Sequence, residues 1–181
     1  MTRIPVLSRD EMNEEQGALY DTVKEEGGPL GGPYWAYIRY PKLMRNAQDI
    51  SRTLGQGGLS KRERQIAIMA ICRFWSAEYP WAIQTRGALQ MDLEQEIIDT
   101  INAGGTPELS DPREKAAYDL TVELLNERKL SQETFDHASS LFDEKELVSL
   151  IATVGQFSMT CLTTVAYDCT PTDDLPHRLH R

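Results

Sequence analysis

The sequence predicts an all-α protein, and three observations carry that prediction. Apolar residues recur at three-and-four spacing in nearly every segment, as they do on helices with one buried face. No run alternates with period two, so no strand competes for any segment. The breaks hold glycine and proline, which end helices, followed by serines, which start them. About six to eight helices are expected, in one domain over residues 1–181. Residues 1–33 supply an N-terminal helix and a Gly/Pro loop, 34–168 the helical core, and 169–181 a polar, proline-containing tail that is expected to fray.

The elements follow in order. Residues 11–26 form an acidic amphipathic stretch, closed by "GGPLGGP" at 27–33, which cannot continue a helix. Pro41 opens "PKLMRNAQDISRTLGQ", because its missing N–H is harmless in a first turn, and Gly57 and Gly58 end it. Ser60 caps "KRERQIAIMAICRFW". There Ile66, Met69, Ala70, Arg73 and Phe74 make one stripe, and Ile68, Ile71, Cys72 and Trp75 fill a second flank. A helix apolar over most of its circumference belongs at the centre. Ser76 is the N-cap candidate of the next helix, with Pro80 in its first turn. Helical segments at 92–104, 110–129 and 131–142 follow, with Ser110 and Ser131 as N-cap candidates and Thr134 in the capping-box position of Ser131. The last segment, 143–168, is apolar beyond its first turn. Residues 142–164 echo 59–81 in a charged opening, an apolar middle and a phenylalanine at the same offset (Phe74 and Phe157), so the two helices are expected to pack as central partners.

Composition narrows the function. Forty per cent apolar and 26% charged residues describe an ordinary globular chain, long enough to bury a core without covalent staples. A net charge of −9 argues against nucleic-acid partners, whose phosphates need a basic surface. No run of about 18 apolar residues suggests a membrane span, and no apolar leader precedes the first helix, so a cytoplasmic location is the expectation. Cys72, Cys161 and Cys169 are odd in number and form no C-x-x-C pair, and the histidines (His137, His177, His180) lie apart from them. Buried free thiols are expected, with no metal site and no cofactor.

The stretch "LSKRERQIAIMAICRFWSAEYPWAIQTRGAL" concentrates the candidate chemistry. It resembles the carboxymuconolactone decarboxylase family, specifically its longer members. "GGPYWAYIRYPKLMRNAQDI" is similar to that family's loop and following helix, and "FDEKELVSLIATVGQFSMTCLTTVAYDCTP" to its C-terminal helix, so the resemblance covers nearly the whole chain. It implies an alkyl-hydroperoxidase-D-like helical bundle, oligomeric, with small pockets between helices. Glu78, Tyr79 and Trp81 match the family's E-Y-x-W positions. The family histidine falls on Gln84, and Asp92 replaces a helix-ending glycine. The peroxidase branch needs a cysteine pair where this chain has Trp81 and Gln84, so thiol peroxidase activity is not expected.

The resemblance implies a cofactor-free lyase or isomerase acting on a small cyclic or aromatic-derived acid or lactone. Protonating an enolate-like intermediate suits imidazole; Gln84 can only donate a hydrogen bond, which leaves Glu78 as the motif's acid or base. The alternative is a non-catalytic small-molecule binder that has lost the proton-carrying histidine. Trp81, Tyr34, Trp35, Arg73 and Tyr79 are the candidate substrate contacts. Each has a plainer reading: Glu78 complementing a helix dipole, Trp81 and Trp75 as core, Arg73 in an interhelix pair. Tyr34 and Trp35 follow the glycine loop, which reads as a lid over the pocket or a staple for the first helix. Surplus apolar surface on 60–75 and 143–168 predicts a homo-oligomer, a dimer, trimer or hexamer, with its pocket near a subunit interface around 74–91.

Overall fold

Helix starts in the computed structural model, which describes residues 2–175 and 177–180, follow local hydrogen-bond chemistry. After a single 3-10 turn (Arg9–Glu11), Asn13 caps α1 (Glu14–Glu25) by accepting from the Gln16 N–H at 2.9 Å. A one-turn helix, α2 (Tyr34–Tyr37), follows the Gly/Pro loop, and Pro41 opens α3 (Pro41–Leu54). Then come α4 (Lys61–Phe74), α5 (Glu78–Gln90), α6 (Gln95–Asn102), α7 (Pro112–Glu127), α8 (Gln132–Leu141) and α9 (Glu144–Ala166). The described residues contain nine α-helices and no strand; α2 is the one beyond the expected count.

Helix α4 is central, and α5, α6, α7 and α9 all pack on it. Every residue from Ile66 to Cys72 is buried, and the α9 side chains Val154, Phe157 and Cys161 join the same core cluster. The echo between the two helices extends to their starts. Ser60 with Glu63, and Asp143 with Glu146, both form capping boxes. Each glutamate uses one oxygen on its own N-cap amide and the other on Arg113 of α7, at 2.6 Å from Nε to Glu63 and 2.8 Å from Nη2 to Glu146. The guanidinium also lies 4.4 Å over the Phe142 ring. One arginine thus ties the N-termini of the two central helices together. Beside it, Arg62 reaches Glu114 (2.6 Å) and Glu94 (2.9 Å).

Several boundaries differ from the sequence reading. Ser76 does not cap α5, because it has φ 50° and closes α4 instead. The Ser76 and Ala77 amides return to the carbonyls of Arg73 and Cys72 at 3.0 Å, and an N-cap would need an extended backbone. Ala77 holds the N-cap position of α5. Asp92 takes the left-handed position after α5 that a glycine would take, with φ 57°. Asp111, not Ser110, caps α7; its carboxylate accepts from Arg113 N at 2.7 Å, and Pro112 occupies the first turn. Ser131 does cap α8, but Thr134 does not complete its box. Glu123 of α7 accepts from the Ser131 amide in its place, at 2.5 Å.

The tail does not fray over its described residues. Leu175 and Leu179 are buried, and Asn102 of α6 clamps the backbone on both sides, donating to Arg178 O (2.9 Å) and accepting from His180 N (2.8 Å). Leu179 supplies the apolar anchor that a polar tail seemed to lack. A further correction concerns α9, which is long and apolar enough, by length and composition, to cross a membrane. Threonines, serines and Gly155 between its larger apolar residues mask that run in the sequence, and its Leu147, Leu150, Val154 and Phe157 are buried in the fold.

Candidate functional site

Between the Gly/Pro loop, α3, the first two turns of α5 and the middle of α9 lies a cavity of about 360 Å³. Leu30, Pro33, Ile83 and Phe157 supply apolar wall, while Tyr34, Tyr79, Gln84 and Arg86 supply polar atoms. Its volume suits a small organic molecule.

Local packing places each polar group. Tyr79 lies over the loop, where its ring is so close to Gly31 and Gly32 that a Cβ on either would collide with it. Gly32 also has φ +64°, a conformation that only glycine adopts without strain. The Cys169 thiol donates a weak hydrogen bond to Gly32 O at 3.8 Å, tying the segment after α9 to this loop. Gln65 of α4 orients Gln84: its Nε2 donates to the Gln84 backbone oxygen (2.9 Å) and to Oε1 (3.1 Å). Gln84 lines the cavity, and its Nε2 has no described hydrogen-bond partner. Burial pushes both the Tyr34 and Tyr79 phenols up, so they stay protonated donors at neutral pH. Arg86 is exposed at the cavity rim, where the Asp174 carboxylate lies within electrostatic reach of it and of Tyr79.

The structure brings together three of the seven predicted site residues: Tyr34, Tyr79 and Gln84. Glu78 is the first residue of α5 and adjoins Tyr79 in sequence, but does not line this cavity. Trp81 is fully buried in the main core. Trp35 stacks edge-on against Tyr79 (5.2 Å between centroids) and lines a neighbouring apolar cavity of about 290 Å³ across the loop. Arg73 lies elsewhere, in a cavity with Phe74 and Tyr118, and donates to Asn102 O at 2.8 Å. Trp75, whose plainer reading was core, donates to Ser158 Oγ at 3.0 Å. Cys72 and Cys161, remote in sequence, are free thiols in the same core cluster, and burial pushes Cys72 well up.

Ser51, Gln156 and Thr160 also line the cavity and were not singled out from the sequence. One signal for Ser51 was present: it continues the buried Met44, Ala47, Gln48 stripe of α3 at helical spacing.

Comparison with solved structures decides the fold family. An AhpD-core, peroxidase-related protein from Ralstonia eutropha superimposes with a TM-score of 0.73 at 16% identity, covering 96% of this chain and 94% of its own. A peroxidase-related protein from Silicibacter sp. gives 0.77 at 15% identity, covering 98% and 94%. A protein of unknown function from Agrobacterium tumefaciens gives 0.70 at 10% identity, covering 79% and 100%. The fold is AhpD-like. No family model matches the sequence, and no curated protein is similar to it. At such identities the likeness speaks for the fold alone.

Proposed function

We propose that this AhpD-like chain binds a small organic acid or lactone in the Tyr34–Tyr79–Gln84 cavity. One observation carries the reading. The cavity offers donors, from the Gln84 amide, two protonated phenols and Arg86, and no carboxylate, imidazole or thiol among its described lining residues. Such a wall recognises a ring oxygen or carboxylate and holds no group that gives up a proton near neutrality. A thermal-shift screen of aromatic acids and lactones, with mass spectrometry of each hit, tests it. Binding without product supports the reading; no stabilisation by any compound overturns it.

A lyase reading is favoured by a separate observation: Glu78 shares the first turn of α5 with Tyr79 and Pro80, which line the cavity. Small movement of that turn would make it the acid or base for a carbanion formed on the bound lactone. Product in the screen, lost in Glu78→Gln, would establish this in place of simple binding. Thiol peroxidase activity, suggested by the names of the solved relatives, has little support in this chain: all three thiols are buried, and Trp81 and Gln84 stand where the reactive pair would be.

Assembly as a homo-oligomer is part of the proposal. The apolar residues of α4 from Ile66 to Cys72 are covered within the chain, whereas α9 exposes Val148, Ile151, Leu162 and Val165 on one side. That apolar stripe, rather than the 74–91 segment, is the proposed subunit contact. Light scattering that gives the 20.5 kDa of a single chain would rule it out.

A further inference from the structure

Behind the main cavity lies a second chamber of about 240 Å³, and Pro29, Tyr34 and Ser51 line both. Its far wall is made by Gln48 and Arg52 of α3, Glu26 after α1, and Arg64 of α4. Arg64 differs from the other arginines of its helix. Arg62 holds two carboxylates and Arg73 a carbonyl, but the Arg64 guanidinium makes no hydrogen bond or ion pair with any described residue. Its Nε is fully buried without an acceptor. Burial alone acts on its pKa, pushing it down, and no neighbouring charge offsets that. Glu26 shares the chamber, yet its Oε2 is taken by Arg45 (2.9 Å) and Arg52 (3.7 Å). Arg52 is bound in turn to Asp49 at 2.7 Å.

Two neutral acceptors are left unsatisfied nearby. Gln48 donates its Nε2 to Pro29 O at 3.2 Å, and its Oε1 is buried without a donor. Gln156 Oε1, on the main-cavity side, is likewise buried without one. Buried polar groups are nearly always paired, so an unmatched guanidinium flanked by unmatched acceptors describes what is missing: an anion that also carries a hydroxyl or N–H.

We propose that Arg64 is the anion anchor of this site, pairing with the carboxylate of a small organic acid that enters between Tyr34 and Ser51 while its ring stays in the main cavity beside Gln84. The inference rests on the cavity being an organic-acid site and deepens it, selecting free carboxylates over esters and simple lactones. Donors and acceptors on the ring then meet Gln156 and Gln84.

Calorimetric titration of 4-hydroxybenzoate and its methyl ester against wild type, Arg64→Met, Arg64→Lys and Gln84→Leu tests it. Wild type should bind the acid more tightly. Arg64→Met should weaken the acid about 10- to 100-fold and leave the ester unchanged, as expected for loss of a charged hydrogen-bond partner. Arg64→Lys should retain part of the preference. If Arg64→Met leaves the acid-to-ester ratio unchanged while Gln84→Leu weakens both compounds, the anchor is wrong and the cavity reading stands. If neither compound binds wild type at millimolar concentration, the cavity reading fails and the anchor with it. A ligand-free measurement separates a structural role. An uncompensated cation exchanged for an apolar chain should leave Tm equal or higher in Arg64→Met, and a fall of several degrees overturns the proposal.

Discussion

Helix α4 has two charged neighbourhoods on different sides of its first turn, and they are built in opposite ways. On the side facing α7 and α9, Glu63 and Arg62 find complete partnership: Arg113 joins two capping boxes, and Glu114 and Glu94 close on Arg62. On the other side, the Arg64 guanidinium lacks any described partner, and Gln84 lines the main cavity with no described partner for its Nε2. Paired buried charges define a fixed scaffold; unpaired ones next to a cavity define a demand for a ligand. The lesson is that the same four-residue run, "KRER", serves as structure through Arg62 and Glu63 and as a candidate recognition element through Arg64.

Breaking the paired side should have the largest effect. Arg113→Ala leaves Glu63, which is nearly fully buried, without its guanidinium and unties α9 from α4. The expected loss is about 3–5 kcal/mol, seen as a Tm drop on the order of 10 °C in thermal unfolding. A change below about 1 kcal/mol would mean that the two capping boxes hold the helix starts unaided.

On the cavity side, Gly32→Ala should cost about 1–3 kcal/mol, because it forces a left-handed backbone on alanine and displaces the Tyr79 ring. Ligand-induced thermal shifts should vanish with it. Gly87→Ala in α5 is the control: a Cβ there meets nothing within 4 Å, so a neutral or slightly stabilising change, up to about 1 kcal/mol, is expected.

Acid should weaken the paired side. The Arg113 guanidinium holds the Glu146 carboxyl below its ordinary 4.5. A depressed folded pKa gives stability that is present above the unfolded value and lost as pH falls through the folded one. Tm should therefore be flat from pH 6 to 8 on this account and fall below about 4.5, with a shallower acid limb in Arg113→Gln than in wild type. Equal limbs in the two proteins would remove Arg113 as the cause.

The smallest effect on the fold is expected at the exposed stripe of α9. Val148→Lys, at a position 67% exposed, should change chain stability by no more than about 0.5 kcal/mol. Should that stripe be the subunit contact, the same variant lowers the mass measured by light scattering. An unchanged multimer would place the contact elsewhere.

The sequence by itself determined the helical segments, the centrality of α4 and the pairing of α4 with α9, because apolar periodicity and capping residues are local signals. It also pointed to Tyr79 and Gln84 through motif positions that lie close together in the chain, and to Tyr34 through the glycine loop before it. What it misjudged depended on partners remote in sequence. Ser76 became a helix end because its neighbours' amides turn back to α4, and the tail docked because Asn102 and the core receive it. Trp81 and Arg73 share a segment with Gln84 yet face the core and a different cavity, because Trp81 takes another direction around α5 and Arg73 belongs to α4. Only the tertiary structure decided that Arg62 is neutralised and Arg64 is not. Charge compensation depends on which side chains arrive from α1, α3, α6, α7 and α9, and no spacing within "KRER" encodes those arrivals.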